Sequence, residues 1–172
     1  MVLKRIKKRS IRKSIEKNLQ ERDVSLRNAP LKTIGFLVDE TQFRELDALH
    51  KVGRSLGLQS KDVTTFSFVT FQKKAPSLRQ DQIHNKDFNW KGNITNNNAS
   101  EFLKKDFDVL VGFYHGSNPY LDAMVSESKA KFKIGLKGGD ERLFDLLMDV
   151  SLQDISLFEK ELIKYMKILG KI

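Results

Sequence analysis

Three short segments of this chain carry residue types that could bind or transform a ligand. Each segment follows a run of apolar residues and precedes a stretch that we predict to be helical. The segments are Asp39-Glu40-Thr41, His115-Gly116-Ser117-Asn118 and Lys137-Gly138-Gly139-Asp140-Glu141. If the apolar runs are parallel strands, the three loops lie together at the carboxyl edge of one sheet, where α/β proteins bind their ligands.

The chemistry available to such a crevice follows from the side chains. The Gly116-Ser117 pair opens a predicted helix, and the first N–H groups of a helix can bind an anion. His115 could act as an acid or base near neutral pH. Carboxylates at the first loop could hold a ribose, a sugar hydroxyl or Mg²⁺. The ligand-binding candidates are Asp39, Glu40, His115, Ser117, Asn118, Gly139 and Asp140.

The same residue types also have purely structural uses. Asp and Ser cap helices, and Gly forms tight turns, without any ligand. The sequence contains no Gly-Lys-Ser/Thr phosphate loop, no Gly-x-Gly-x-x-Gly after the first strand and no Gly-x-Ser-x-Gly elbow. We therefore assign no catalytic residue, reaction or cofactor, and we favour a binding protein over an enzyme. The alternative is an enzyme, or a descendant of one, that binds a phosphorylated or sugar ligand at the strand ends.

The elements that would position these loops alternate along the chain. Strands are predicted over residues 33–38, 64–71, 88–92, 108–114 and 131–136, and helices over 42–56, 98–105, 119–129, 141–149 and from about 154 to 169. This alternation predicts an α/β fold, a three-layer Rossmann-like, mostly parallel sheet of about five strands. Strands 33–38 and 108–114 form its centre, with 131–136 on one side and the other two on the opposite side. We expect Trp90, on the edge strand, to cover the core.

The N-terminal segment is set apart by its charge. Residues 1–33 hold eleven Lys or Arg and three acidic residues, whereas the other 139 residues hold 20 and 19. A helix from about Leu3 to Arg27 is predicted, with a narrow apolar stripe of Ile11, Ile15 and Leu19. We predict two parts, a basic helical arm over residues 1–30 and a single α/β domain over residues 31–172.

This distribution of charge favours a polyanion as the partner of the arm. The candidates for polyanion binding are Lys4, Arg5, Lys7, Lys8, Arg9, Arg12, Lys13 and Lys17. RNA or the ribosome would be bound through phosphates, with release of counterions. An anionic membrane surface is favoured less, because the stripe is thin and lacks aromatic residues. Two further alternatives stay open: an acidic protein partner, or a solvated helix that docks its stripe on the body.

Composition excludes several other classes. The chain has no cysteine, so disulfides and thiolate metal sites are excluded, and its three isolated histidines predict no metal centre. Apolar runs are too short for a membrane-spanning helix, and no apolar segment follows the basic start as a secretory signal requires. We expect a cytoplasmic protein.

Four stretches carry a resemblance that covers nearly the whole chain. Residues 86–92, 107–110, 128–135 and 139–143 resemble an uncharacterised bacterial family classed as a domain of unknown function. This resemblance implies a bacterial cytosolic protein and supplies no activity. Residues 107–111 and 130–135 are also similar to the N-terminal, acceptor-side half of heptosyltransferase-like glycosyltransferases, although Asp39-Glu40 replaces that family's Gly-Asp. This second likeness implies only the fold.

Overall fold

A sheet of six parallel strands runs through the centre of the computed structural model, which describes residues 2–172. The strands are β1 (Ile34–Asp39), β2 (Val63–Val69), β3 (Gln82–His84), β4 (Val109–Phe113), β5 (Phe132–Leu136) and β6 (Leu146–Met148). Their order across the sheet is β3-β2-β1-β4-β5-β6, and every neighbouring pair is parallel. The predicted α/β class and Rossmann-like arrangement are confirmed, with one strand more than expected.

Five α-helices cover the two faces of the sheet. They are α1 (Val2–Glu21), α2 (Leu46–Ser55), α3 (Asn97–Lys104), α4 (Pro119–Glu127) and α5 (Ile155–Ile168). Side-chain caps fix several starts: Asn96 accepts from the N–H of Ala99 before α3, and Asp154 accepts from that of Leu157 before α5. None of the helices within residues 2–172 has the length and hydropathy needed to cross a membrane.

The central strands are buried on both faces because each face has its own apolar layer. Phe36 and Val38 point into one core cluster, with α2 and α5. Leu37, between them, points into the second cluster, with α1, α3 and α4. This alternation is why β1 reads as a continuous apolar run rather than as an alternating one.

Helix α1 packs along α4 through the predicted apolar stripe. Ile11 and Ile15 are buried in the second core cluster, and Leu19 packs against it. The helix ends at Glu21 rather than near Arg27, and a turn follows. The division of the chain at residue 30 stays a prediction. The apolar stripe packs α1 against α4 and the second core cluster.

Two predicted elements are wrong. The edge strand is β3 rather than residues 88–92, where Phe88 makes only an isolated antiparallel bridge to Ile94 across a turn. Trp90 lies on that turn with 59% of its surface exposed, so it does not cover the core. Residues 141–149 form a turn and strand β6 instead of a helix, because their apolar residues extend the sheet beside β5.

Candidate functional site

The loops after β1 and β4 meet at the carboxyl edge, where the direction of winding reverses. Asn118 Nδ2 donates to Asp39 Oδ2 at 3.0 Å. Gln42 Nε2 donates to the carbonyl of His115 at 3.2 Å, and the N–H of His115 donates to Gln42 Oε1 at 2.9 Å. The structure therefore brings the predicted residues Asp39, His115 and Asn118 together. Asp39 and Asn118 bond directly to each other, and the backbone of His115 bonds to Gln42, so these groups are engaged with the chain rather than with a ligand.

The start of α4 has no free amide for an anion. Asn118 Oδ1 accepts from the N–H groups of Tyr120, at 3.1 Å, and Leu121, at 3.4 Å. The N–H of Asp122 donates to the carbonyl of Asn118 at 2.8 Å, and Pro119 has no N–H to offer. The first turn of this helix is thus satisfied by the chain itself.

Ser117 faces a buried carboxylate rather than an imidazole. Its Oγ donates to Asp122 Oδ2 at 2.7 Å, and the hydroxyl of Tyr114 donates to Asp122 Oδ1 at 2.8 Å. Burial raises the pKa of Asp122 and raises that of Tyr114 well above its usual value. His115 uses Nε2 on the carbonyl of Val150 at 2.9 Å. This loop therefore lacks the hydroxyl–imidazole pair that nucleophilic catalysis by serine uses.

The third loop joins the second through close backbone contact. A side chain on Gly138, whose φ is +88°, would lie 3.4 Å from the N of Gly116. A side chain on Gly139 would lie 3.1 Å from the ring of Phe144. The predicted candidate Gly139 is therefore in a packed position that needs a small residue.

Asp140 is turned toward α1 rather than toward Asp39. Arg142 pairs with Asp140 at 2.7 Å and with Glu16 of α1 at 2.8 Å. A cavity of about 370 Å³ lies between α1 and this edge. Its polar lining comprises Lys8, Arg12, Glu16, Ser117, Asp122, Asp140 and Arg142. Both signs of charge line the cavity, and two of its carboxylates are already bound to Arg142.

Glu40, the remaining carboxylate of the first loop, lies on the β2–β3 side. It accepts hydrogen bonds from Ser67 Oγ at 2.5 Å, Arg79 at 2.6 Å and Gln82 at 3.0 Å. Burial opposes ionisation of Glu40, but these three donors hold its pKa below the usual value. The structure therefore separates Glu40 from Asp39, its neighbour in sequence.

Helix α1 presents a different environment. Six of its cationic side chains are exposed and, among residues 2–172, have no carboxylate within 4 Å. We call these residues the basic face: Lys4, Arg5, Lys8, Arg9, Arg12 and Lys13. The other two polyanion candidates have partners, since Lys17 lies 3.9 Å from Glu21 and half-buried Lys7 donates to the carbonyl of Asn85. Burial lowers the pKa of Lys7, against the opposing charge of Asp87.

The positive charges of the basic face lie close enough along the helix to repel each other. Its members form two rows of four-residue spacing, with Lys8 central in one row and Arg9 central in the other. Like charges at this spacing destabilise a helix by roughly 0.2–0.5 kcal/mol per pair. An anion bound across the rows would remove that repulsion.

A third charged cluster, which the sequence analysis missed, lies beside β5. Lys133 is 1% exposed, and its Nζ donates to the carbonyl of Val125 at 2.5 Å. Burial, with the nearby charge of Arg22, lowers the pKa of Lys133 to about 7, although Asp145 opposes the shift. Arg22 pairs with Asp145 at 2.5 Å. A lysine inside the predicted strand 131–136 was a signal available in the sequence, whereas nothing in the sequence pointed to Gln42.

The fold and these sites define an α/β protein with a Rossmann-like parallel sheet, a carboxyl edge at which the side chains of Asp39 and Asn118 bond to each other, and a helix with an exposed basic face. The chain belongs to a family described as "Family of unknown function (DUF6913)", whose profile matches residues 7–169. This match confirms the resemblance to a family of unknown function; the likeness to heptosyltransferase-like enzymes stays a prediction. Neither the curated proteins nor the solved structures gave a match to the chain.

Proposed function

We propose that this protein is a non-enzymatic binding module that attaches to RNA through the basic face of α1. One observation carries the proposal: six exposed cations, which have no carboxylate partner within residues 2–172, stand on a helix whose other side is packed into the core. RNA offers the complementary feature, a regular row of phosphates. A cytoplasmic location, as the sequence predicts, would give the protein access to RNA.

The packing of α1 supports this proposal energetically. Ile11, 1% exposed, and Ile15, 9% exposed, hold the helix in place before any partner arrives. A preformed helix does not lose the conformational entropy that a disordered basic tail loses on binding. Each phosphate neutralised then releases about 0.7 to 0.9 of a counterion. Affinity would therefore come mainly from charge and would fall steeply with salt.

The carboxyl edge supports the alternative, an enzyme acting on a phosphorylated or sugar ligand, less well. The amides at the start of α4 already have acceptors in the chain, and Asp39 and Asn118 bond to each other. A ligand there would have to displace existing hydrogen bonds. The basic face requires no such exchange.

Binding of a labelled RNA, measured by fluorescence anisotropy between about 50 and 300 mM KCl, tests the proposal. The first variant replaces one row of the basic face with glutamine: Arg5, Arg9 and Lys13. The matched control replaces three lysines of α5, on the opposite face of the sheet: Lys160, Lys164 and Lys167. Both variants lose three positive charges, and the α5 variant also breaks the 3.0 Å ion pair of Lys164 with Glu161.

We expect the α1 variant to bind at least about tenfold more weakly at about 100 mM KCl, with a shallower dependence on salt. The α5 variant should stay within about twofold of the wild type, because only long-range, screened charge changes. The proposal is wrong if the wild type shows no salt-dependent binding. Equal weakening by both variants would also contradict it, since net charge rather than the basic face would then explain the affinity.

A further inference from the structure

The only tryptophan of the chain is exposed on a hydrogen-bonded turn. Trp90 is 59% exposed and lies in the segment Phe88–Ile94, which we call the Trp90 turn. The N–H of Asn89 donates to the carbonyl of Asn93 at 2.9 Å, and Asn89 Oδ1 accepts from the N–H of Lys91 at 2.9 Å. These bonds fix the backbone on both sides of the indole. Trp90 is thus presented to solvent on a turn that is closed by hydrogen bonds.

The Trp90 turn is anchored on α1. The backbone of Gly92 lies so close to the helix that a Cβ built on it would be 2.9 Å from the N of Ile11 and 3.1 Å from the carbonyl carbon of Ser10. Phe88, at the other end of the turn, is buried in the same core cluster as Ile11. Trp90 is two residues from Gly92, so its Cα lies within about 7 Å of the contact with the helix.

One cation lies against the indole of Trp90, and the turn that carries Trp90 packs on the basic helix. Lys91 Nζ lies 5.2 Å from the centroid of the indole ring, which is within the range of a cation–π contact. The contact point at Ser10 lies in the middle of α1, with Arg9 and Arg12 on either side in sequence. An exposed aromatic ring combined with exposed cations is the arrangement that single-stranded nucleic-acid-binding proteins use, since bases stack on the ring and phosphates meet the cations.

We infer that the Trp90 turn and the basic face form one surface for single-stranded RNA, on which Trp90 stacks against an unpaired base. This inference rests on the proposed function and makes it more specific, from RNA in general to unpaired segments. Recognition is tolerant of sequence, because every base offers a ring face for stacking. A duplex, whose bases are already stacked, gains only the electrostatic part.

An anionic membrane is the main competing partner. Leu3 and Ile6 of α1 are 71% and 41% exposed, and a tryptophan beside a basic helix is also common at membrane interfaces. Membranes and RNA differ in what they require of Trp90. A membrane moves the indole into a less polar environment, whereas a base stacks on it and quenches its emission.

Two RNA oligomers of equal length, about twelve nucleotides, separate stacking from charge. One is oligouridine, and the other has abasic sites at every position, so that the phosphates remain and the bases are absent. The protein variants are Trp90→Ala and Trp90→Phe, the second of which keeps an aromatic face. Because Trp90 is the only tryptophan, emission from the wild type reports on this position alone.

We expect the wild type to bind oligouridine about 5- to 150-fold more tightly than the abasic oligomer, which corresponds to about 1–3 kcal/mol of stacking. Oligouridine should quench Trp90 emission. Trp90→Ala should bind the two oligomers equally, and Trp90→Phe should regain part of the difference. Circular dichroism checks that both variants are folded.

The inference is overturned if the wild type binds both oligomers equally and its emission does not change. Salt-dependent binding would then still support the proposed function, so the two failures are distinguishable. Absence of salt-dependent binding to either oligomer contradicts both. Vesicles containing about 30% anionic phospholipid are the third probe, and a blue shift of Trp90 with tighter binding to vesicles than to oligouridine overturns the inference in favour of a membrane.

Discussion

The carboxyl edge of the sheet and the basic face of α1 are both polar, and the sequence predicts a ligand for each, but their side chains differ in their partners. At the edge, the side chain of Asn118 donates to that of Asp39. The side-chain amide of Gln42 donates to the carbonyl of His115 and accepts from its N–H. On α1, six cations reach solvent without a carboxylate within 4 Å, among residues 2–172.

This difference shows which polar groups remain available for a partner. The hydrogen bonds at the edge stabilise the loops, and a ligand would have to replace them at a cost of about 1 kcal/mol or more for each. The cations of α1 repel each other, so an anion improves on the state without a ligand. Unused bonding capacity therefore distinguishes the two surfaces better than the types of residue they contain.

The largest effect should come from removing the anchor of the basic face. Ile11→Ala leaves a cavity between α1 and the core, and we expect the free energy of unfolding to fall by about 3 kcal/mol. Denaturation in urea measures the change. Ile6→Ala, at a position 41% exposed, should change stability by less than about 0.5 kcal/mol. A small effect at Ile11 would mean that α1 is not a fixed platform.

The second prediction concerns a cation that is buried rather than exposed. The pKa of Lys133 is about 7 in the folded protein and 10.5 in its ordinary state, so the unfolded chain binds more protons between these values. The free energy of unfolding should therefore rise with pH across this window, by about 2 kcal/mol between pH 7.5 and 9.5.

Lys133→Met removes the titrating group and should abolish that part of the rise. The exposed control Lys129→Met should keep the wild-type slope. Urea denaturation at several pH values gives the comparison. Parallel slopes in the wild type and Lys133→Met would contradict the prediction and would show that Lys133 stays protonated when buried.

A third variant tests how closely the Trp90 turn is fitted to α1. Gly92→Ala meets both an unfavourable φ of +86° and the backbone of Ile11, so we expect a loss of about 2 kcal/mol in stability. Gly57 has nearly the same φ, +85°, with no atom within 4 Å of a Cβ. Gly57→Ala should therefore cost only about 1 kcal/mol. Equal costs would mean that the turn and the helix are not in contact.

A fourth variant asks whether the carboxyl edge is structural. Asn118→Ala removes the cap of α4 and the bond to Asp39, and should lower stability by about 1 kcal/mol. Asn98→Ala, at an exposed position inside α3, is the matched control and should leave stability unchanged. Thermal unfolding resolves the difference. If the stability of Asn118→Ala were unchanged, the hydrogen bonds of Asn118 would not be needed for folding, and a ligand-binding role of the carboxyl edge would again be favoured.

The smallest effect should come from Trp90→Ala. A side chain that is 59% exposed contributes little to the core, so the free energy of unfolding should change by less than about 0.5 kcal/mol. The same denaturation measurement applies. A large loss would show that the indole is needed for folding and would weaken its assignment to a binding surface.

Much of this structure could be predicted from local pattern. Continuous apolar runs located β1, β2, β4 and β5, and their alternation with helices led to the parallel sheet and to the order of its central strands. The predicted start of the last helix near residue 154 is confirmed, with Asp154 as its cap, whereas the helix predicted from residue 42 begins only at Leu46. Predictions from short patterns were wrong. Residues 141–149, predicted as a helix, contain strand β6, which pairs with the otherwise unpaired edge of β5.

The candidate sites were predictable to a smaller degree. Loop residues after β1 and β4 meet because parallel strands end at one edge, which the topology dictates. Their mutual hydrogen bonds depend on side-chain directions that differ even between neighbours, since Asp39 and Glu40 point to different partners. The position of Trp90 depends on a close approach at Gly92 that no spacing in the sequence encodes.

The sequence by itself determined the fold class, the strand order at the centre of the sheet and the segregation of positive charge at the N-terminus, because these follow from periodicity and composition. Tertiary structure decided which polar groups are satisfied and which are free. Satisfaction depends on distances of about 3 Å between residues far apart in the chain, such as Gln42 and His115. For the same reason, only the folded chain brings the turn that carries an exposed tryptophan against the middle of a basic helix.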